Sequence, residues 1–239
     1  MRRTISRLKR RLAGSSGPDL DAELRWWLER WNPVIQDGGF NPGDVTEYLD
    51  DGEGVAPTYE GRRWQIARAE VRRVLREASI EDPDYFAGKV VVDIGPGPLG
   101  FPDACPAKVS MAIEPLAERF ASHGLLLRSD AVYLPVGAER IPLLAESVDV
   151  MLSRNSLDHV SDPQAVVGEV TRVLRPGGVF ILNVDMEHAA TATEPHVLDL
   201  QQIRSMLAHM ELLSERIREH PHGGEGRTLI AVARKRQGS

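Results

Sequence analysis

The sequence predicts an α/β fold in which a mostly parallel, doubly wound sheet of seven strands ends in an antiparallel hairpin and follows an N-terminal helical extension. Three observations support this prediction. Short, unbroken apolar runs recur along residues 89–184, as in strands that are covered on both faces. Helical segments with one apolar face separate these runs. A glycine-rich turn joins the last two strand-like segments, which therefore form the hairpin.

The composition is that of an ordinary globular protein. Hydrophobic residues make up 42% and charged residues 27% of the 239 residues, and no run of about 18 apolar residues is available to cross a bilayer. Cys105 is the only cysteine, which excludes an internal disulfide. Because the first residues also lack the apolar core of a secretory signal, we expect a cytoplasmic protein.

Residues 1–13 form a basic leader with amphipathic spacing. Six basic residues and no acidic residue lie among the first eleven, and Ile5, Leu8 and Leu12 fall near one face of a short helix. This pattern is compatible with weak peripheral contact to an anionic membrane. The alternatives are docking on the acidic remainder of the chain, docking on a second subunit of a homodimer, and disorder. Since the whole chain carries −6, its remainder is more acidic still, which disfavours nucleic-acid binding.

Residues 19–88 form an N-terminal extension of helices and a loop. Apolar residues at helical spacing predict a helix over 19–31, which Asn32-Pro33 should end. Residues 36–59 are rich in Gly, Asp and Pro and have no period, so they predict a long loop. A second amphipathic helix is expected from Gly61 to about Ile80.

Residues 89–235 form the main domain. Apolar runs predict parallel strands at 89–94, 109–113, 131–134, 148–153 and 178–184, and a hairpin of 212–217 with 227–232. Asp162 followed by Pro163 is a typical helix start, and this helix should end at residues 175–178. A further helix is expected at 198–210.

A glycine-rich loop follows the first predicted strand. Asp93 ends that strand, and Gly95, Gly97 and Gly100 allow the backbone to turn sharply and to approach a ligand closely. Glu114 ends the second strand, where an acid can accept hydrogen bonds from both hydroxyls of a ribose. The two carboxylates and the loop therefore predict a site for a nucleoside-containing cofactor.

The stretch from Val90 to Val184 resembles the class I, Rossmann-like methyltransferases that use S-adenosylmethionine. The matching motifs are Asp-x-Gly-x-Gly at 93–97, Glu114, residues 137–143 before the fourth strand and Leu-Arg-Pro-Gly-Gly at 174–178. The resemblance implies S-adenosylmethionine as cofactor and S-adenosylhomocysteine as product. The cofactor-binding residues it implies are Asp93, Gly95, Pro96, Gly97, Gly100, Glu114, Pro115, Ala138, Glu139 and Asn155.

Two positions depart from the pattern of that family. Gly137 stands where the family often has an acid for the adenine amino group, so Glu139 either supplies that contact or the contact is missing. The third loop glycine falls one place late, at Gly100. The alternative reading is a domain that binds a nicotinamide dinucleotide, whose glycine spacing is satisfied. Pro96, Pro98 and the interruption of the following helix by Phe101-Pro102 oppose it.

The exit of the fourth strand carries the candidate catalytic residues. His159 has a side chain that titrates near neutral pH and can act as the base, with Asp158 or another carboxylate orienting it. In many methyltransferases a similar histidine only shapes the pocket floor, and this alternative stays open. His196 lies in the loop after the fifth strand, which commonly closes over the acceptor in this fold; otherwise it is an exposed loop residue.

Asn155, Asp158 and His159 also resemble the acid-x-x-acid-His metal site of ubiquinone-pathway O-methyltransferases. Asn155 replaces the first acid and is a poorer ligand for a hard cation. We therefore assign no metal from the sequence. If the protein requires magnesium, Asp158 and His159 are the predicted ligands.

The methyl acceptor should be recognised by residues 19–88, which have no counterpart in the core motifs. Trp27, Trp64 and Tyr59 are among the aromatic residues there that either stack on rings of the acceptor or pack between helices. The segment loosely resembles leaders of methyltransferases of bacterial glycan and natural-product biosynthesis. It thus implies O-methylation of a hydroxyl on a saccharide or another small polar metabolite. An N- or C-methyltransferase of secondary metabolism and a non-catalytic subunit of the same fold are the alternatives.

Overall fold

The computed structural model describes residues 17–36, 53–219 and 226–237. The basic leader at 1–13 and most of the loop predicted at 36–59 lie outside these residues. Within the described part of the chain, no helix is long and apolar enough to cross a membrane.

One mixed sheet of seven strands organises the domain. Its strands are β1 (Val90–Ile94), β2 (Val109–Ile113), β3 (Val132–Leu134), β4 (Val148–Arg154), β5 (Leu174–Met186), β6 (Met210–Glu219) and β7 (Arg227–Lys235). Their order across the sheet is β3-β2-β1-β4-β5-β7-β6. Strands β1 to β5 are parallel, and β7 runs antiparallel to both β5 and β6. The predicted fold class is confirmed, including the C-terminal hairpin.

The fifth strand begins earlier than its hydrophobic run predicts. Leu174 pairs with Val148, and a bulge separates this pair from the regular register that starts at Val150 and Val179. The segment at 175–178 was expected to be a turn between helix and strand. It instead forms the first residues of β5. At this end of the strand, Nζ of Lys235 in β7 donates a hydrogen bond to the carbonyl of Leu174 at 2.9 Å.

Six α-helices accompany the sheet within the described residues: α1 (Leu20–Gln36), α2 (Tyr59–Glu77), α3 (Phe101–Ala104), α4 (Ala117–Ser122), α5 (Pro163–Val173) and α6 (Leu200–Met206). The expected end of α1 at Asn32-Pro33 was wrong, because the helix continues to Gln36. A proline removes one backbone donor but has a φ that a helix can accommodate, so it does not always end one. Asp162 caps α5 as predicted, by accepting from the N–H of Ala165.

The strands of the central sheet are covered on both faces. Val92 and Ile94 of β1 pack in the same cluster as Val166 and Val170 of α5, whereas Val91 packs with Val74 of α2. This alternation follows from the two-residue period of a strand. β1 therefore lies at the centre of the domain, between two layers of helices.

The sheet order places a crevice at the carboxyl end of β1. This strand pairs with β2 on one side and with β4 on the other, so the chain connections leave it in opposite directions. In open α/β sheets, ligands bind at such a switch point. The segments that meet there are the glycine loop after β1, Glu114 after β2 and residues 155–160 after β4.

Candidate active site

The glycine loop turns at the carboxyl end of β1. Gly95 donates its N–H to the carbonyl of Ile113 at 2.9 Å, which ties the loop to the end of β2. Gly97 has a φ of 56°, and a Cβ at this position would lie 2.6 Å from Cζ2 of Trp27. Both the conformation and the close approach of the indole therefore require glycine.

Asp93 lies beneath this loop and is 1% exposed. Among the described residues, neither of its carboxylate oxygens has a hydrogen-bond partner. Burial raises the pKa of Asp93 to about 6; the Arg154 guanidinium opposes this shift and Glu70 adds to it. A buried carboxylate without partners is costly unless a ligand supplies donors, so Asp93 is available to a bound molecule.

Glu114 is buried at the end of β2 and is held by two backbone donors. Oε2 accepts from the N–H of Gly97 at 3.1 Å, and Oε1 accepts from the N–H of Leu116 at 2.9 Å. Burial raises the pKa of Glu114 to about 7, although these two hydrogen bonds lower it; the charges of Glu23 and Asp93 add to the increase. Each carboxylate oxygen retains a further lone pair for a ligand hydroxyl.

The other predicted cofactor residues lie around the same edge with different degrees of burial. Pro96, Gly100 and Ala138 are buried, whereas Pro115 and Asn155 are exposed. Glu139 accepts from the N–H of Ser161 at 2.6 Å and approaches Gly137, where a Cβ would lie 2.6 Å from its Oε2. Gly137 is thus adjacent to the Glu139 carboxylate. A contact of Glu139 with the adenine stays a prediction.

Helix α1 covers the glycine loop, which the sequence did not predict. The Trp27 indole lies against Gly97 and donates from Nε1 to Oε1 of Glu23 at 3.0 Å. Leu24 packs in an apolar cluster with Ile66 of α2 and Phe120 of α4. These contacts place the N-terminal extension directly at the predicted cofactor site.

Arg63 of α2 fastens the far side of the loop. Its guanidinium is 1% exposed and donates from Nη2 to the carbonyl of Pro98 at 2.5 Å and to that of Leu125 at 2.6 Å. Because a charged donor to a carbonyl makes a stronger hydrogen bond than a neutral one, this side chain helps to fix the loop.

A cluster of acids and histidines lies beside the glycine loop, at the exit of β4. Oδ2 of Asp158 is 4.0 Å from Nε2 of His159 and 3.4 Å from Nε2 of His188. Oε1 of Glu194 is 3.7 Å from Nε2 of His159. Nδ1 of His159 lies 3.2 Å from Oε2 of Glu23 on α1. We call Asp158, His159, His188 and Glu194 the acid-histidine cluster.

The surrounding carboxylates determine the charge of His159. Burial lowers the pKa of its imidazole, but the hydrogen bond to Glu23 and the charges of Asp158, Glu23 and Glu194 raise it to about 9. Burial raises the pKa of Asp158 despite the opposing charge of His159. In this arrangement His159 is cationic at neutral pH, so it accepts a proton only after it has released the one it holds.

His196 was the third predicted catalytic residue, and it lies outside the acid-histidine cluster. Its Nε2 is 2.9 Å from the carbonyl oxygen of Val160. A carbonyl only accepts, so this nitrogen donates to the backbone and Nδ1 is the nitrogen left for other chemistry. Its role as a base stays a prediction.

Several site residues had no signal in the local sequence. Glu23 and His159 are 136 positions apart, and their contact depends on how α1 seats on the domain. Glu70 of α2 is 1% exposed and pairs with Arg154 at the end of β4, beneath Asp93. The one signal in the sequence is that Glu70 is a charged residue on the predicted apolar face of α2.

The central part of the chain is similar to a known protein family. Residues 93–182 match the methyltransferase domain family. This segment begins at Asp93, includes the glycine loop, Glu114 and the exit of β4, and ends within β5. The match therefore covers the segment that builds the site.

Individual relatives agree with this match. The chain is 36% identical over 99 residues to an uncharacterized methyltransferase of Mycobacterium sp. strain JLS, covering 40% of this chain and 38% of that protein. It spans about two fifths of the length of this relative and of two further mycobacterial methyltransferases. The similarity is thus confined to part of each protein.

Solved structures share the fold. One from Thermotoga maritima, described as an S-adenosylmethionine-dependent methyltransferase and possible histamine N-methyltransferase, is 20% identical, with a TM-score of 0.53 over 73% of this chain and 93% of that one. The 4+2 cyclase SpnF is 16% identical, with a TM-score of 0.55 over 89% of this chain and 95% of that one. These likenesses confirm the Rossmann-like fold, and the cyclase illustrates that the fold alone does not fix the reaction.

The site residues fit the cofactor that this family implies. Asp93 offers a buried carboxylate without a partner among the described residues, and Glu114 offers a second one at the neighbouring strand end. The dinucleotide alternative fits less well. The loop leads into a single 3-10 turn at Gly97–Leu99 and the four-residue helix α3, instead of the long helix on which a pyrophosphate would sit.

Proposed function

We propose that this protein transfers a methyl group from S-adenosylmethionine to a hydroxyl of a saccharide or another small polar metabolite. The observation that carries the proposal is the pair of buried carboxylates, Asp93 and Glu114, on either side of a glycine loop within the matched domain. Glu114 would accept from the ribose hydroxyls, and Asp93 would receive donors from the amino-acid side of the cofactor. Gly95 and Gly97, both with positive φ, let the loop turn sharply between these two carboxylates.

The acid-histidine cluster is the proposed acceptor side of the pocket. When bound, S-adenosylmethionine supplies a methyl group on a sulfonium, and displacement by the acceptor oxygen releases S-adenosylhomocysteine. The protein has to position the acceptor hydroxyl in line and remove its proton. We propose that Asp158 and His159 contact that hydroxyl, because Asp158 is 1% exposed and neither of its oxygens has a hydrogen-bond partner among the described residues.

An amine acceptor is the second candidate. Glu23, Asp158 and Glu194 place three carboxylates around His159, an excess of negative charge that would also suit a cationic amine. Both kinds of acceptor must lose a proton before they attack the methyl group. An ammonium carries a positive charge in addition, which neighbouring carboxylates would stabilise. A panel of hydroxyl and amine acceptors separates these two candidates.

The first prediction is that the full chain binds S-adenosylmethionine and does not bind NAD when each is titrated by calorimetry. Methyl transfer is then followed with radiolabelled cofactor against matched panels of sugars, phenols, amines and carboxylates. We expect label in a sugar or another hydroxyl compound. Label in the amines alone would favour the second candidate, and binding of neither cofactor would contradict the proposed function.

The second prediction concerns the pH dependence of cofactor affinity. Because ribose hydroxyls donate to the ionised form of Glu114, whose pKa is about 7, affinity should rise as this group loses its proton. Between about pH 6 and pH 8 the dissociation constant should fall by roughly tenfold. Glu23 and Asp93 face Glu114 and contribute to its raised pKa, so the transition will be broad.

The measurement is a series of calorimetric titrations of S-adenosylmethionine at fixed ionic strength. Glu114→Ala should bind weakly at every pH, because it lacks the carboxylate. Glu139→Gln is the matched control, since it removes a different acid of the same pocket and should keep the slope of the parent. Affinity that stays flat from about pH 6 to pH 8 in the parent would show that Glu114 does not bind the ribose as an ionised acceptor.

A further inference from the structure

Both histidines of the acid-histidine cluster have one ring nitrogen already engaged. Nδ1 of His159 faces Oε2 of Glu23 at 3.2 Å, and Nδ1 of His188 faces the carbonyl oxygen of Ala189 at 3.1 Å. A carboxylate and a carbonyl only accept, so both Nδ1 atoms donate. A histidine binds a metal only after it has lost its second ring proton, and the lone pair of each ring then lies on Nε2. Neither Nε2 atom has a hydrogen-bond partner among the residues that the structure describes.

These Nε2 atoms face two carboxylates, of which Asp158 has no hydrogen-bond partner among the described residues and Glu194 accepts from the Thr191 hydroxyl through Oε2. Oδ2 of Asp158 lies 4.0 Å from Nε2 of His159 and 3.4 Å from Nε2 of His188. Oε1 of Glu194 lies 3.7 Å from Nε2 of His159. Asp158 is 1% exposed, and neither of its carboxylate oxygens has a hydrogen-bond partner among the described residues, so this buried carboxylate is without a donor. A cation between these atoms would satisfy all of them.

We propose that Asp158, His159 and Glu194 bind a divalent transition-metal ion, with His188 as the neighbouring fourth donor. One ligand atom from each of the first three residues lies within 4.8 Å of the others. Ligand atoms about 2.0–2.2 Å from a tetrahedral metal are roughly 3.4 Å from each other. Side-chain rotation therefore has to bring the three ligand atoms closer together by up to about 1.4 Å.

The donor set selects the class of metal. Imidazole nitrogens suit zinc, iron and nickel, whereas magnesium prefers oxygen ligands alone and keeps several waters. Asn155 is exposed and has no carboxylate. The second carboxylate of this site comes instead from Glu194, in the loop after β5. Glu23 would orient His159 from outside the coordination sphere, as carboxylates commonly do for metal-bound histidines. The ion expected is therefore zinc or a similar transition metal in preference to magnesium.

This inference deepens the proposed function, because the ion would lie in the proposed acceptor pocket. A cation there would lower the pKa of a bound acceptor hydroxyl and stabilise the alkoxide that attacks the methyl group. The proton of the hydroxyl would leave to solvent. His159 would then act as a ligand and would not itself be the base.

The test uses the untagged, metal-free full chain. Zn(II), Mn(II) and Mg(II) are titrated separately by calorimetry, and Co(II) is added to record visible absorption bands that report nitrogen and carboxylate ligation. We expect a single Zn(II) per chain, bound at least about tenfold more tightly than Mg(II). Asp158→Asn and Glu194→Gln should each weaken Zn(II) binding at least about tenfold and remove the Co(II) bands.

The controls are His209→Asn and Glu211→Gln, which change exposed residues of the same types away from the cluster and should bind Zn(II) like the parent. Thermal melts verify that each variant is folded, and His159→Gln provides a further ligand variant if one of the others fails to fold. Absence of Zn(II) binding by the parent, or equal binding by Asp158→Asn and Glu194→Gln, would overturn the inference. A chain that binds Zn(II) but no S-adenosylmethionine would contradict only the proposed function.

Discussion

Replacement of His159 by alanine is expected to lower turnover by about 10²–10⁴-fold while leaving S-adenosylmethionine affinity nearly unchanged. The imidazole lies among Asp158, Glu194 and Glu23, on the acceptor side of the proposed pocket, and the carboxylates proposed for the cofactor are Asp93 and Glu114. Its removal should therefore affect the chemical step, whether it accepts the proton or holds an ion that acidifies the acceptor. Turnover with the acceptor found in the panel and calorimetry with the cofactor are the two measurements.

His196→Ala is the matched variant, because this second histidine bonds to the backbone of Val160 and lies outside the acid-histidine cluster. It should reduce turnover less than His159→Ala does. If both variants kept the turnover of the parent, neither histidine would take part in proton removal. The protein would then contribute positioning alone, or Asp158 would be the base.

The sheet and the loop were predictable because their signals are local. Strands covered on both faces need unbroken apolar runs, and β1, β2 and β4 show them within a residue of their observed bounds. Gly97 and Asp93 were predictable because a turn at a strand end requires glycine and a cofactor requires polar groups there. The early start of β5 was not, since it depends on the pairing of Leu174 with Val148 across a bulge.

The acceptor side could be predicted only in part. Asp158 and His159 are adjacent in the chain and follow a strand, so their place at the sheet edge was evident. The contacts of Glu23, His188 and Glu194 with them join three separate segments, and only tertiary packing decides which side chains meet there. The position of α1 over Gly97 likewise depends on the packing of α1 against α2 and α4. The pattern of residues within α1 does not predict these contacts.

Asp93→Asn should weaken S-adenosylmethionine binding by about 10- to 150-fold and yet make the ligand-free protein more stable above neutral pH. The affinity falls because a charged acceptor worth roughly 1.5–3 kcal/mol is lost from the cofactor. The stability rises because ionised Asp93 is buried and has no hydrogen-bond partner among the described residues, beside Glu70 and Glu114 and opposed by Arg154.

The pKa of Asp93 sets the pH range of this stabilisation. It is about 6 in the folded chain, against 3.8 for an unperturbed aspartate. Folding thus disfavours the ionised carboxylate, and the cost appears as the pH rises through this interval and is complete above it. Relative to the parent, Asp93→Asn should gain little free energy of unfolding near pH 4 and about 1–3 kcal/mol near pH 8.

Denaturant unfolding of both proteins at these two pH values, together with cofactor titration, measures the two effects side by side. Asp149→Asn is a suitable comparison, because the carboxylate of Asp149 already accepts a hydrogen bond from the N–H of Val90 and pairs with Arg175. That variant should lose stability at pH 8, since it breaks existing hydrogen bonds. A loss of stability in Asp93→Asn as well, with cofactor affinity intact, would mean that Asp93 is a structural residue and that the cofactor donors bind elsewhere.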